Sequence, residues 1–273
     1  MTEYTVLMQQ FTEKIYIDSQ MAACDSPVQN VAVFSTRAPY RQDESANEDA
    51  AAVVAIDEHS SLLIVADGVG GTPGGADAAA LTIKTVLKNI KGGNTGEMRE
   101  TILSAIEQAN QALLDKGSGS ATTLVLVEVN STTVRPYHVG DSVAMMTGQR
   151  GKLKLETLSH SPVGYAVEAG VLSEDEGFHH EDRHIVSNIV GMPDMHVTMG
   201  MPVTMATFDT LLLGTDGLFD NLQRDEIVEI IRHGDLRQSA NDLATRALAR
   251  MTDAQAEGKP DDLTFILFRR SRK

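Results

Sequence analysis

Two apolar runs of the chain drive straight into an Asp-Gly pair, Leu62-Leu63-Ile64-Val65-Ala66-Asp67-Gly68 and Leu211-Leu212-Leu213-Gly214-Thr215-Asp216-Gly217. A short continuous apolar run bounded by glycine predicts a buried strand. Ala50 to Ile56 precedes Ser61 to Ala66 by only Asp57-Glu58-His59-Ser60. So short a link predicts an antiparallel hairpin, because parallel neighbours need a crossover of about a dozen residues. Ala121 to Val129, Val134 to Val139 and Ser142 to Thr147 repeat the pattern across Asn130-Ser131 and Gly140-Asp141, and predict more antiparallel sheet. Lys14 to Ile17 is a short strand and Leu263 to Phe268 the last one.

Helical stripes fall between these runs. Ala76, Ala79, Ala80, Ile83, Val86, Leu87 and Ile90 keep three-and-four spacing up to Gly92-Gly93, and Ile102, Ile106, Ala109 and Leu113 repeat it before Gly117, predicting a helical hairpin. A later pair covers Asp225 to Ile231 and then Ala240, Leu243, Ala244, Ala247, Leu248 and Met251. Strands, helix pair, strands, helix pair and a final strand imply an α+β sandwich, with helices covering antiparallel sheets. Ser159 to Met205 has little periodicity and is rich in His, Gly, Met and charge, so it reads as a surface flap near a site.

Composition narrows the class. The 273 residues, 42% of them hydrophobic, suit a single domain spanning 1–273. Aromatics are 4% with no Trp, so Leu, Ile, Val, Ala and Met must fill the core. The net charge of -15 argues against nucleic acid and anionic membrane surfaces as partners. Lone Cys24 cannot form an internal disulfide, and the chain has neither an apolar run of about 18 residues nor a secretory pattern at its start. A cytoplasmic protein is the expectation. The basic tail Arg269-Arg270-Ser271-Arg272-Lys273 reads as solvated.

The acidic residues carry the chemistry. Asp67 and Asp216 close buried strands, and with the pairs Glu48-Asp49 and Asp261-Asp262 they look like oxygen ligands converging on hard divalent cations. Each has a plainer reading as a turn or helix-capping residue. Asp141, in Gly140-Asp141-Ser142, reads equally well as a turn and as a ligand. His160, His179, His180 and His184 lack zinc-ligand spacing, and the glycines from Gly68 to Gly75 lack the Lys-Ser/Thr ending of a nucleotide phosphate loop.

Six motifs then occur in order: Asn47-Glu48-Asp49, Ala66-Asp67-Gly68-Val69-Gly70-Gly71, Ala121-Thr122-Thr123-Leu124, Val139-Gly140-Asp141-Ser142, Thr215-Asp216-Gly217-Leu218-Phe219-Asp220 and Asp261-Asp262-Leu263-Thr264. This succession resembles that of the PPM-type (PP2C-like) protein serine/threonine phosphatases, bacterial branch, over roughly residues 45–268. The resemblance implies an α-β-β-α sandwich of two stacked antiparallel sheets flanked by helical pairs. It implies two Mn²⁺ or Mg²⁺ ions, with Asp67 bridging both, the Gly68 carbonyl on one, and Asp216 and Asp261 on the other. Asp49, with Glu48 behind it, would order metal-bound water, and Asp141 with Asp216 would hold a possible third ion. Asp67, Asp216 and Asp49 would then be the catalytic set, acting on a phosphorylated protein. Two ions about 3.5–4 Å apart suit activation of a water for in-line attack on phosphorus. Two positions depart from the family: Glu44 stands where an Arg commonly holds the substrate phosphate, leaving Arg41 or Arg37 for that task, and Val69 stands where some members have a proton-donating His. The missing Arg leaves a second reading open, a non-catalytic phosphoprotein-binding module on the same scaffold.

Overall fold

The computed structural model describes residues 12–16, 30–39, 46–69, 74–93, 97–253 and 258–270. Two antiparallel sheets stack face to face. The first runs β1 (Thr12–Tyr16), β3 (Asp49–Ala55), β4 (Ser60–Asp67), β5 (Leu124–Asn130) and β6 (Thr133–Val139), with the short β9 (Thr198–Met199) and β10 (Val203–Thr204) both on the outer side of β6. The second runs β2 (Val31–Thr36), β12 (Leu263–Arg269), β11 (Thr210–Gly214), β7 (Val143–Thr147) and β8 (Leu153–Glu156).

Side chains alternate across each strand, so a strand covered on both faces is apolar throughout. Ala50, Ala52, Val54, Leu62, Ile64 and Ala66 face α1 (Gly75–Gly92) and α2 (Met98–Lys116). Their neighbours Ala51, Val53, Leu63 and Val65 meet Val33, Leu211, Leu213 and Ile266 of the second sheet. On the far side, Phe34, Leu212, Phe265 and Leu267 pack with Leu218 of the short α5 (Asp216–Phe219) and against α6 (Arg224–Ile231) and α7 (Leu236–Thr252). Among the described residues the middle layer is built from aliphatic side chains and Met, with Phe268 the one aromatic, in keeping with the scarcity of aromatics. The α-β-β-α sandwich is the observed architecture.

The β3–β4 hairpin and the α1–α2 hairpin lie where the periodicity puts them, the latter ending at Gly117 with φ +64°. Asp235 caps α7 by accepting from Gln238 N at 3.0 Å. One expectation is corrected: Gly140-Asp141 does not join neighbours within a sheet. β6 lies in the first sheet and β7 in the second. Gly140, at φ +104°, turns the chain from one layer to the other, where a Cβ would sit 2.7 Å from Thr123 Cβ. β7 finds its antiparallel partners in β11 and β8 instead. Val31–Thr36 and Leu153–Glu156 are further strands that periodicity did not single out.

Residues 159–205 divide in two. α3 (Pro162–Glu168), α4 (Glu174–Phe178) and a 3-10 turn at Glu181–His184 form a small helical projection. The remainder returns along the sheet edge, with Val190 bridged to Thr122 and β9 and β10 paired to β6. Cys24, Arg41, Glu44 and the 70–73 glycine loop lie outside the described residues.

Candidate metal centre

Antiparallel pairing carries the acidic motifs to one rim of the sandwich. Asp49 opens β3 and Asp67 closes β4, and the two are register partners. Gly214 at the end of β11 pairs with Phe265 near the start of β12, placing Asp216 and Asp261 beside them. Asp141 follows β6 at the same end, because Val139 pairs with Leu124 and Val65 with Val125. Residues more than 200 positions apart in the chain thus share one edge.

Buried hydrogen bonds fix these carboxylates. Thr215 Oγ1 donates to Asp49 Oδ2 at 2.9 Å and ties the two sheets together at the rim. Asn47 Oδ1 accepts from Asp49 N at 2.9 Å, and Asn47 Nδ2 donates to Ser35 Oγ at 3.0 Å. The Asp67 backbone is clamped by β5, its N–H donating to Thr123 Oγ1 at 3.2 Å and its carbonyl accepting from Thr122 Oγ1 at 2.7 Å. Asp262 turns away from the centre and accepts from two backbone amides, Ala38 N and Glu48 N, each at 2.7 Å. It positions the Asn47–Asp49 strand start, and Asp261 is left at the rim.

Glycine is obligatory at two contacts. A Cβ on Gly68 would lie 2.3 Å from the Gly75 carbonyl carbon, so the turn after Asp67 packs directly on the first residue of α1. A Cβ on Gly217 would lie 1.9 Å from the Asp262 carbonyl oxygen. Close backbone approach therefore joins the two Asp-Gly motifs to their neighbours. The Glu48 carboxylate sits against α1 as well, with Oε1 2.6 Å from where a Gly75 Cβ would be.

The electrostatics are those of concentrated, buried negative charge. Burial raises the Asp49 carboxyl well above its usual range, and Asp262, Asp216 and Asp261 add repulsion that the Thr215 hydrogen bond partly offsets. Asp67 is raised in the same way, by burial first and then by Asp49, Asp216, Asp141 and Asp261. Burial and then Asp216 and Asp220 push Asp141 up to about 7. Asp220 rises to about 6, through burial and Asp216 against the pull of Lys259 and Arg183. Burial also raises Asp261, with Asp216 adding to it. Carboxylates held this close, away from water, destabilise one another until a cation joins them.

An all-oxygen donor set of this kind suits hard divalent ions. Among the described residues no group of three or more His, Cys, Asp or Glu side chains is placed to hold a metal ion as it stands; hydrogen bonds from Thr215 and contacts with Lys259 engage the carboxylates instead. The Lys259 ammonium reaches into the cluster, 2.7 Å from Asp216 Oδ2, 3.0 Å from Asp261 Oδ2 and 3.2 Å from Asp220 Oδ2. Arg183 Nε lies 3.7 Å from Asp220 Oδ2, and beside it a cleft of about 540 Å³ runs between the α3–α4 projection and α6. Its walls include Val163, Phe178, Phe219 and Arg224.

Sequence reasoning gathered the acidic set, Asp262 included as half of a candidate ligand pair, but missed the roles of three residues that shape it. Thr215 and Lys259 reach the carboxylates directly, and Asp262 orders the loop that presents Asp49. A base two residues before Asp261 was the available signal for Lys259. The histidines hold structure: His160 Nδ1 accepts from Gly140 N at 3.1 Å and His180 Nδ1 from Asp182 N at 3.1 Å, while His179 and His184 bond to backbone carbonyls. Arg41, the expected phosphate anchor, falls outside the described residues.

Known proteins share this arrangement of layers. Serine/threonine phosphatase Stp1 from Staphylococcus aureus matches with a TM-score of 0.78 at 23% identity, over 90% of this chain and 97% of that one. The catalytic domain of serine/threonine protein phosphatase PstP, in complex with two manganese ions, matches with a TM-score of 0.70 at 23% identity, over 88% of this chain and 96% of that one. Serine/threonine phosphatase stp of Listeria welshimeri is 27% identical over 235 residues, 82% of this chain and 90% of the relative. The family model described as protein phosphatase 2C matches residues 39–256, and the chain belongs to that family.

Proposed function

We propose that this chain hydrolyses phosphoserine and phosphothreonine on proteins, using divalent ions held at the acidic rim. The observation that carries the proposal is the gathering of Asp49, Asp67, Asp216 and Asp261 at one edge by strands of both sheets. In this reading Asp67, the Gly68 carbonyl, Asp216 and Asp261 would hold the divalent ions. Asp49, with Glu48 behind it, orients water. When bound, a pair of such ions supplies positive charge to the phosphoryl oxygens and acidifies water. The chain's own part is positioning. Thr215 holds the Asp49 carboxyl in place and partly offsets the rise that burial imposes on it, and Asp262 holds the backbone that presents it. The two-manganese complex of PstP supports Mn²⁺ as the first ion to test.

Arg41 is assigned the phosphate contact. Residues 1–273 act as one domain, with 159–205 as the flap beside the rim. Among the described residues no helix is long and apolar enough to cross a membrane; the substrate proposed is a cytoplasmic phosphoprotein. The named relatives act as serine/threonine phosphatases, and no observation favours the binding-module alternative.

The test is Mn²⁺-dependent release of phosphate from a phosphothreonine peptide, with an aryl phosphate as second substrate. Asp67→Asn and Asp216→Asn are each expected to lower kcat/KM by roughly a hundredfold or more, a loss of about 2.7 kcal/mol of transition-state stabilisation. Absence of turnover at saturating metal, or full activity in both variants, overturns the proposal.

A further inference from the structure

The acidic rim already contains a cation of its own. Lys259 is no loose surface lysine: its backbone is pinned by buried Asn221, whose Oδ1 accepts from Lys259 N at 3.0 Å and whose Nδ2 donates to the Lys259 carbonyl at 2.9 Å. The same Nδ2 donates to the Gly217 carbonyl at 2.9 Å, so this backbone is tied to the second Asp-Gly motif. Gly258 before it packs tightly, where a Cβ would lie 2.3 Å from the Arg250 carbonyl oxygen, and Pro260 after it restricts φ. From that fixed base the ammonium directs its three donors at Oδ2 of Asp216, Asp220 and Asp261, at 2.7, 3.2 and 3.0 Å. Asp141 feels the same group of charges, Asp216 and Asp220 against it and Lys259 for it.

We infer that Lys259 is a tethered cation filling the space among Asp216, Asp220 and Asp261, so that the chain takes two divalent ions and no third ion there. The inference rests on the metal-centre reading above. Asp220, which that reading does not use as a ligand, anchors the ammonium. Lys259 contacts only Oδ2 of Asp216 and Asp261; Asp261 Oδ1 accepts from Asp262 N at 2.9 Å and, like Asp216 Oδ1, has lone-pair capacity left for a divalent ion. A third divalent ion among these three carboxylates would meet a fixed positive charge at contact distance, and the repulsion is large where water is sparse. Being covalently tethered, the ammonium neutralises this side of the centre at any metal concentration. Lys259 acts here as a positioning residue.

The experiment is Mn²⁺ binding to the metal-stripped full chain, followed by titration calorimetry and by metal analysis after dialysis, with thermal unfolding of the same samples. The wild type is expected to bind two ions. Lys259→Gln is expected to gain a third site of at least tenfold higher affinity than any third site in the wild type. It is also expected to unfold at lower temperature without metal and to show a larger Mn²⁺-induced rise. Lys259→Arg, which keeps the charge, is expected to return the count to two, separating charge from any general disturbance of the loop. Three ions in the wild type overturn this inference and leave the metal centre intact. So does a Lys259→Gln protein with the wild-type count and unchanged metal-free unfolding. Fewer than two ions in the wild type overturn the metal-centre reading itself, and this inference with it.

Discussion

Asp49 and Asp67 are direct register partners across the β3–β4 hairpin, two acids facing each other at the buried end of a strand pair. Like charges in such a pair destabilise a sheet, and burial raises both carboxyls well above the usual value of 3.8. The folded, metal-free chain therefore holds protons that the unfolded chain releases. Their contribution to stability is complete below about pH 4 and fades as pH rises through the folded values, near 6 for Asp220 and 7 for Asp141. His160, lowered to about 4, and His138, also lowered, act in the opposite sense, and their effect is complete once pH exceeds the ordinary histidine value of 6.5. Between about pH 6.5 and 8 the carboxylates prevail. The unfolding temperature of the chelator-treated protein is expected to fall across that interval, while the rise induced by saturating Mn²⁺ grows, since fewer protons must be displaced. Scanning calorimetry with and without metal checks both trends.

Gly217 and Asp262 set a second condition. With 1.9 Å between a hypothetical Gly217 Cβ and the Asp262 carbonyl oxygen, Gly217→Ala forces backbone apart where Asp216 and Asp261 must stay aligned. Overpacking of this kind costs about 1–3 kcal/mol, a drop of several degrees in Tm for a chain of this length. Mn²⁺ affinity is expected to fall at least tenfold in the same variant. Gly92→Ala is the control, because nothing lies within 4 Å of a Cβ there, and it is expected to leave Mn²⁺ affinity unchanged without lowering Tm.

Thr215 donates the hydrogen bond that keeps the buried Asp49 carboxyl from rising further. Thr215→Val preserves shape and removes the donor. Hydrogen bonds to charged groups contribute about 1.5–3 kcal/mol, and 1.36 kcal/mol corresponds to one pKa unit. The pH at which Mn²⁺ binds half-maximally is thus expected to move up by about one unit or more. Calorimetric titrations from pH 6 to 8.5 measure it, and an unmoved midpoint would show that Thr215 does not govern Asp49.

What could be read from the chain, and what could not, follows from the range of the interactions involved. Leu62–Ala66 and Leu211–Leu213 announced buried strands because two-sided burial leaves no polar position within them. The Asp-Gly pairs announced a rim because a carboxylate ending such a run has only one place to go. Gly140-Asp141 misled because a two-residue link with positive φ looks the same whether it closes a hairpin or crosses between sheets. Val31–Thr36, six residues long, passed unnoticed because it follows a much longer stretch of weak pattern, although β12 pairs with it throughout. The contacts of Lys259 and Thr215 were out of reach for another reason. They depend on loop conformations that bring together residues 43 and 166 positions apart, and no local pattern encodes that.

Asp262 shows how a carboxylate inside a metal motif can serve without meeting a metal. Both of its oxygens are committed, Oδ1 to the Ala38 amide and Oδ2 to the Glu48 amide, at 2.7 Å each, and the residue is 4% exposed. Removing the acceptor leaves two amides short of a partner beside the strand start that presents Asp49. Asp262→Ala is therefore expected to destabilise the fold by roughly 2–4 kcal/mol, from two charge-assisted bonds and the desolvated groups left behind. Asp262→Asn keeps one carbonyl oxygen and places an NH₂ against the other amide, so it is expected to fall between Ala and the wild type in denaturant midpoint. If Asp262 were instead a ligand, both variants would lose metal affinity while their metal-free stability stayed at the wild-type value. A positioning role predicts the reverse order: the metal-free denaturation curve moves first, and Mn²⁺ affinity falls only in proportion to it. Urea titrations of chelator-treated protein, paired with Mn²⁺ calorimetry on the same preparations, separate the two roles.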